Sequence, residues 1–427
     1  MSVPNAAQLK GSFLGRLAPP VREAVKAAAS NGLGCQVYLV AGALRDLLLH
    51  RPIHDIDLAV EGDAIDLAGR VFPQFRRTAH ARFRTATVRV ERVRIDLATA
   101  RTETYARHGA LPTVTPSSIV DDLGRRDFSV NAIALRLSGE PRLIDPHGGI
   151  DDLTARRVRV LHDESFRDDA TRMFRALRYA ARLGFELEPH TRQLLARDLA
   201  FVEHIGGERL RRELELMLGE STAGEALQAA NDAGLLRAVH PSLAWTHIHS
   251  ATFDESRRLA GREPLGFALL AADATDAGAD AIAARLRLKR GEAAAVRGLS
   301  ALRGSAHLLH RREAKPSGVV LLLDRFPLAS VAAFAGVAGD EIAAALALRY
   351  LDEWRHITAQ LRGDDLIAMG VPAGPQVQRG LQLVRAARLD GTVRDLADER
   401  ALALRFVNSI KDSNAMTAQV ELSSNGY

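Results

Sequence analysis

The hydrophobic pattern of this 427-residue chain changes character once, near residue 160. Upstream, short β-branched and aromatic runs recur between glycines, prolines and aspartates: Val37-Tyr38-Leu39-Val40, Ile56–Val60, Thr85–Val90 and Val93–Ala98. Such runs read as strands, the last two as a hairpin. Ser129–Leu137 and Arg142–Asp145 add two strand candidates, and Ala43–His50 a short helix after the turn at Ala41-Gly42. Downstream, Ala/Leu/Arg-rich segments at helical spacing dominate, punctuated by Gly184, Gly219, Gly234, Gly261 and Pro372. A chain this long divides into several cores. The expected fold class is α+β: a mixed-sheet head with helices over residues 36–160, behind an N-terminal extension (1–35) with a helix near Pro20–Ala29. An all-α remainder follows, a neck over 161–240 and a body and tail over 241–427.

Several classes are set aside by composition. No uninterrupted apolar run is long enough to span a bilayer, and the first residues lack the apolar core of a secretory signal. Cys35 is the single cysteine, so no intrachain disulfide forms. A cytoplasmic protein is expected, with neither a membrane nor an obligate protein partner. The net charge of +5 is modest, but nine Lys/Arg residues lie between Arg285 and Lys315 against only Glu292 and Glu313. Led by Arg285, Arg287, Lys289 and Arg290, this stripe suits an RNA backbone read by phosphate and shape. A solvated helix surface is the plainer alternative.

The residues that carry chemistry cluster in four places. Asp55 and Asp57 lie two apart on a strand, so both carboxylates project from one face while Ile56 and Leu58 enter the core. A pair held this way can bind two hard cations about 4 Å apart. Asp96, between Ile95 and Leu97, is a third candidate carboxylate. At the Ala41-Gly42 turn, glycine lets the backbone approach a phosphate, the helix N-terminus offers free N–H groups, and Arg45 follows one turn on. Arg125-Arg126-Asp127 supplies charge clamps, with Asp127 placed to orient one arginine. A helix over Asp168–Leu183 brings Asp168, Arg172, Arg175 and Tyr179 to one face, flanked by Asp169 and Arg178, with Met173, Phe174 and Leu177 opposite.

That polar wall can read a base. A carboxylate accepts hydrogen bonds and a guanidinium donates them. Cytosine and adenine both present an exocyclic amine beside a ring-nitrogen acceptor, whereas uracil and guanine reverse the order. Asp169 with Arg172 therefore selects C and A.

In these segments the chain resembles the class II tRNA nucleotidyltransferases and their bacterial poly(A) polymerase relatives, in the DNA polymerase beta superfamily. The likeness runs from about residue 36 to 220 and rests on LVAGALRDLLLHRPIHDIDLAV, ATARTETYARHGALP, DDLGRRDFSVNAIAL, LIDPHGGIDDL, DDATRMFRALRYAARLGF and GERLRRELELML. It implies a polymerase-beta-like head and a helical neck, body and tail. It further implies magnesium on Asp55 and Asp57, and nucleotide contacts from Gly42, Arg45, Arg126, Asp169, Arg172, Arg175 and Arg178. The implied substrates are CTP, ATP and the acceptor and TΨC arms of tRNA. The reaction is two-metal, in-line attack of the tRNA 3′-hydroxyl on the α-phosphate. Ala41, Asp168, Ala170 and Phe174 depart from the usual residues without removing a ligand. The interval Ala98–Asp122, with Arg101, Glu103 and the Gly109–Pro112 turn, is as long as in members that add the terminal A. Full CCA addition and A-only addition both remain open. Rival readings are a poly(A) polymerase and an inactive RNA-binding relative.

Overall fold

The computed structural model describes residues 5–30, 34–104, 113–261, 264–309 and 315–424, and the Gly109–Pro112 turn lies outside them. The chain divides into two compact units, Met1–Pro241 and Ser242–Tyr427.

The first unit opens with α1 (Ala6–Arg16) and α2 (Pro19–Ser30), followed by β1 (Gln36–Val40), α3 (Ala41–Leu48), β2 (Asp55–Glu61) and α4 (Ala64–Val71). Then come β3 (Arg76–His80), β4 (Thr85–Val90), β5 (Val93–Thr99), β6 (Arg101–Thr104), β7 (Thr113–Pro116) and α5 (Ile119–Gly124). β8 (Ala134–Arg136), β9 (Leu143–Ile144) and α6 (Gly149–Thr154) complete the head. Seven strands form one mixed sheet in the order β3-β4-β5-β2-β1-β8-β9, in which only β2 and β5 run parallel. The alternation in β2 does what the sequence demands: Ile56, Leu58 and Val60 are buried, while Asp55 and Asp57 project from the other face. α2 and α4 pack against the strands, and Leu67, Ala68, Val88 and Ile95 are buried with them.

The stretch expected as one strand over Ser129–Leu137 is shorter. Ser129–Asn131 form a 3-10 turn, and only Ala134–Arg136 pair with β1. The reason is side-chain bonding. Ser129 donates to Asp152 at 2.6 Å, and Asn131 is committed to Asp127 and Arg45, so the segment curls rather than extends. Gly149 lies against this turn, where a Cβ would collide with the Ser129 carbonyl.

After a two-residue parallel bridge, β10 (Arg157–Val158) with β11 (Glu186–Leu187), the unit is helical. The helix expected from Asp168 to Leu183 is broken into α7 (Ser165–Asp168) and α8 (Thr171–Leu183), with Asp169 extended at φ −147°. The Asp169 carboxylate accepts from Thr171 N at 3.1 Å and Thr171 Oγ at 2.7 Å, a local cap that competes with continuing the helix. Asp168 thus leaves the face it was expected to share. α9 (Pro189–Asp198), α10 (Gly207–Leu218), α11 (Ala223–Asp232) and α12 (Leu235–Val239) follow, α10 and α11 packing on α8.

The second unit contains α13 (His247–Ala260), α14 (Leu265–Leu270), α15 (Asp276–Arg285), α16 (Arg290–Ser305), α17 (Pro316–Leu323), α18 (Leu328–Val337) and α19 (Glu341–Asp352). It ends with α20 (Gly363–Ala368), α21 (Pro375–Leu389) and α22 (Leu396–Ser424). α13, α14, α16 and α19 surround α18, whose residues from Ala329 to Phe334 are all buried. Among the described residues no single helix is long and apolar enough to cross a membrane.

Substituting Gly149 by alanine should lower the unfolding free energy by about 1–3 kcal/mol, because the new methyl meets backbone rather than a side-chain end that can move. Urea unfolding of the variant checks this, and an unchanged midpoint would contradict the packing described.

Candidate functional site

One cavity of about 720 Å³ in the first unit collects almost every residue the sequence singled out for the cation and the nucleotide. Its lining includes Gly42, Arg45, Asp55, Asp57, Asp96, Arg126, Asp169, Arg172 and Arg175. Arg178 is not among them.

The carboxylates come from two parallel strands in register, Asp55 beside Arg94 and Asp57 beside Asp96. Asp96 accepts from Thr87 Oγ1 at 2.6 Å and pairs with Arg94 at 2.9 Å; Arg94 also lies 3.5 Å from Asp55. Asp57 has no such neutralisation. Burial, the Asp96 charge and the Asp55 charge push its pKa up to about 6, against the opposing pull of Arg126 and Arg94. Such uncompensated negative charge suits a hard divalent cation, with Asp55 and Asp57 as donors. Among the described residues no three His, Cys, Asp or Glu side chains close into a ready-made cage, so a cation here needs further oxygens from substrate or water.

The turn from β1 to α3 places Ala41 in the left-handed region at φ 56°, which accounts for a glycine being usual there. No side chain caps α3, so its first N–H groups face outward unpaired by a cap. A Cβ at Gly42 would meet only Arg45 Nη2 at 3.8 Å and Asp57 Oδ2 at 3.9 Å, so the bare backbone leaves the space over Asp57 open.

The arginines are held rather than loose. Arg45 is 3% exposed, donates to Asn131 Oδ1 at 2.8 Å and Asp46 at 2.9 Å, and lies 5.3 Å from the Tyr179 ring. Asp127 does not orient Arg125 or Arg126 as the sequence suggested. That carboxylate accepts from Phe128 N, Asn131 Nδ2 and, at 2.5 and 2.9 Å, from Arg175. Burial works against its ionisation, but the Arg175 charge and these bonds outweigh it and hold it below the usual carboxylate range. Arg125 and Arg126 are held instead by buried Asp122, at 2.7 and 2.9 Å. Arg126 keeps one donor, Nε, with no partner among the described residues.

On the neck side, Arg172 is buried and donates to Ser165 Oγ at 2.7 Å and the Arg125 carbonyl at 3.1 Å. Arg178 pairs with Glu220 at 3.1 Å and stacks 5.1 Å from the Tyr179 ring, which makes it a brace behind the wall. Two residues of the lining or its margin escaped the sequence reading. Arg209 on α10 bridges both oxygens of Asp169 at 2.9 and 3.0 Å. Glu213, one turn further, has its carboxyl pushed up by burial despite the Arg175 and Arg178 charges, and its Oε2 is buried without a partner among the described residues. Both lie in GERLRRELELML, but their orientation toward Asp169 and Arg175 depends on how α10 packs on α8. The basic residues Arg285, Arg287, Lys289 and Arg290 gather at the α15–α16 junction of the second unit, with Arg287 at φ 48°. Further along, Arg297 and Arg303 are neutralised by Asp280 and Asp273.

A mixed sheet with paired strand carboxylates, a glycine turn and an arginine-rich neck helix defines a polymerase-beta-type nucleotidyltransferase head. The poly A polymerase head domain family matches residues 37–159, and the probable RNA and SrmB-binding site of polymerase A matches 184–246. An A-adding tRNA nucleotidyltransferase of Geobacter sulfurreducens is 34% identical over 87% of this chain and 45% of its own length. That of Halalkalibacterium halodurans is 31% identical over 88% of this chain and 90% of its own. A CC-adding enzyme of Deinococcus radiodurans is 32% identical over 88% and 90%. The structure of a CCA-adding enzyme in an apo form superposes with a TM-score of 0.81, 27% identity, and coverage of 95% of this chain and all of that one. The Thermotoga maritima CCA-adding enzyme complexed with tRNA gives 0.78 at 25% identity, covering 96% and 100%. The chain belongs to the tRNA nucleotidyltransferase and poly(A) polymerase family. It spans less than half the length of the Geobacter relative. Family membership implies the use of a divalent cation.

Because the Asp57 pKa is raised, not lowered, the proton is retained up to about pH 6 and a cation must displace it below that. Cation affinity should rise about tenfold per pH unit below pH 6 and flatten above it. Manganese titrations from pH 5 to 8 check this; an affinity level across the acid range would contradict the assignment.

Proposed function

We propose that this chain is a tRNA nucleotidyltransferase that completes the CCA terminus, using CTP and ATP without a nucleic-acid template and releasing pyrophosphate. The observation that carries the reading is one cavity lined by Asp55, Asp57 and Asp96 together with Asp169 and Arg172. Phosphoryl-transfer groups and base-reading groups thus share a single enclosure. In this reading residues 36–160 do the chemistry, 161–240 read the base, and 241–427 bind the acceptor and TΨC arms in the cytoplasm.

The RNA 3′-hydroxyl attacks the α-phosphate in line, and pyrophosphate departs. Magnesium bound at Asp55 and Asp57 would supply charge neutralisation and activation of the hydroxyl. The chain's own residues do the positioning. The uncapped start of α3 and bare Gly42 receive the triphosphate, and the Arg126 guanidinium at the cavity wall donates to a phosphate oxygen. Arg45 and Arg175, locked through Asn131 and Asp127, shape the floor. Asp169 Oδ2 accepts only from Arg209 among the described residues, which leaves lone-pair capacity for an exocyclic amine. Arg172, held by Ser165 and the Arg125 carbonyl, donates to the ring nitrogen beside it.

Terminal AMP addition is part of the proposal. Glu103, on the β6–β7 hairpin that frames the Ala98–Asp122 interval, pairs with Arg125 at 2.7 Å, and the Arg125 carbonyl accepts from Arg172. The interval is therefore mechanically joined to the base-reading wall. An A-only reading is favoured by one observation, the A-adding activity named for two relatives matching 87% and 88% of the chain.

Purified protein should add AMP to tRNA ending in CC, and CMP followed by AMP to tRNA lacking all three nucleotides. Failure with CTP on the shorter tRNA would leave an A-adding enzyme. Failure with ATP on tRNA-CC would defeat the proposal, and unlimited AMP addition to any RNA would mark a poly(A) polymerase. Asp169→Ala and Arg172→Ala should each narrow the preference for CTP and ATP over UTP and GTP by about tenfold or more, since each loses a hydrogen bond of about 1.5–3 kcal/mol. Competition assays read this, and unaltered selectivity in both would contradict base reading by the pair.

A further inference from the structure

The open face of the head sheet carries a second charged feature that leads out of the cavity. Strand register places Asp55 beside Arg94, Arg94 beside Arg89, and Arg89 beside Arg76, in one line across β2, β5, β4 and β3. Side chains in one cross-strand row share a face. Ala86, Val88 and Val90 turn inward on β4, so Arg89 projects with Asp55 and Asp57 from the uncovered side. The row covers two strand spacings beyond Arg94, about 10 Å. Arg94 lines the cavity; Arg89 and Arg76 lie past its lip and are exposed.

The side chains of Arg89 and Arg76 make no hydrogen bond or ion pair among the described residues, and Glu91 is the only acid between Arg76 and Arg94. Like charges directly across a strand pair destabilise a sheet. Guarding an edge against strand pairing would explain a charge on β3, the outermost strand. It does not explain Arg89 and Arg94 on the interior strands β4 and β5. A polyanion laid across the row would convert the repulsion into attraction.

We propose that Arg94, Arg89 and Arg76 hold the phosphates of the unpaired 3′-terminal strand of the RNA substrate as it enters the cavity. The inference rests on the activity proposed above and names a surface for its RNA partner. The row terminates at Asp55, where the attacking hydroxyl must arrive, so a strand lying along it delivers its 3′ end to the carboxylates. The row has no aromatic member on which bases could stack, which selects backbone contact.

The test uses the full chain with Arg76→Glu and Arg89→Glu combined, leaving Arg94 in place because it touches Asp55 and Asp96. Fluorescence anisotropy gives Kd for tRNA ending in CC and for the same tRNA stripped of its unpaired 3′ nucleotides, across a salt series. The expected result is a rise of about tenfold in Kd for the first RNA, with a salt dependence shallower by about two in log–log slope. The stripped RNA should bind as to the wild-type protein, and the KM for ATP should be unchanged. The neutral pair Arg76→Gln with Arg89→Gln should move in the same direction by less. An unmoved Kd, an equal loss for both RNAs, or a raised KM for ATP with unmoved RNA binding would each overturn the row as a 3′-strand track. The two binding readouts need no turnover. Absence of nucleotide incorporation by the wild-type protein would bring down the proposed activity alone, with the binding comparison still deciding the row.

Discussion

The Asp127 carboxylate is the interaction on which the rest of the site depends. It is buried, and it accepts from the adjoining backbone through Phe128 N, from the 3-10 turn through Asn131, and from the neck helix through Arg175. Asn131 in turn accepts from Arg45 on the helix that follows the glycine turn. One anion thus ties three segments far apart in sequence into a fixed relation. Breaking a buried pair by removing one partner typically costs about 3–5 kcal/mol, because a charge is left without compensation. Here the loss would strand Arg175 and free Asn131 together.

The site is an array of arginines, and the fold deals with their mutual repulsion by distributing acids and one aromatic ring among them. Asp122 neutralises Arg125 and Arg126, Asp127 takes Arg175, Glu220 takes Arg178, and Tyr179 lies 5.1–5.5 Å from the guanidinium carbons of Arg45, Arg175 and Arg178. A guanidinium pinned this way has lost its rotamer freedom before substrate arrives, so less ordering remains to be done on binding. The carboxylates follow the opposite rule. Asp57 is left short of positive neighbours, and that deficit is what makes a divalent cation welcome.

The helical second unit solves a packing problem rather than a chemical one. Small residues permit close approach: a Cβ on Gly298 of α16 would clash with Ser330, and one on Gly336 of α18 with Ser256 and Thr252 of α13. Among the described residues the basic stripe that begins at Arg285 is interrupted, since Arg297 and Arg303 are taken up by Asp280 of α15 and Asp273 of the turn before it.

The residue pattern by itself determined the α+β head with its helical continuation, the same-face pair Asp55 and Asp57, the β4–β5 hairpin and the family. Each of these follows from local periodicity or from a short motif, and both are properties of adjacent residues. What it misjudged was which partner a polar side chain takes, near or far along the chain. The expected strand at Ser129 became a turn because Asp152 and Asp127 claim its side chains, and the Asp168–Leu183 helix broke because Asp169 caps Thr171 while Arg209 holds it from α10. Arg178 carried the right periodicity for a wall residue yet turned to Glu220, and Asp127 chose Arg175 over its sequence neighbours. The arginine row from Asp55 to Arg76 likewise exists only through strand register. Periodicity says which face a residue occupies on its own element; which charge stands opposite it is decided by packing between elements.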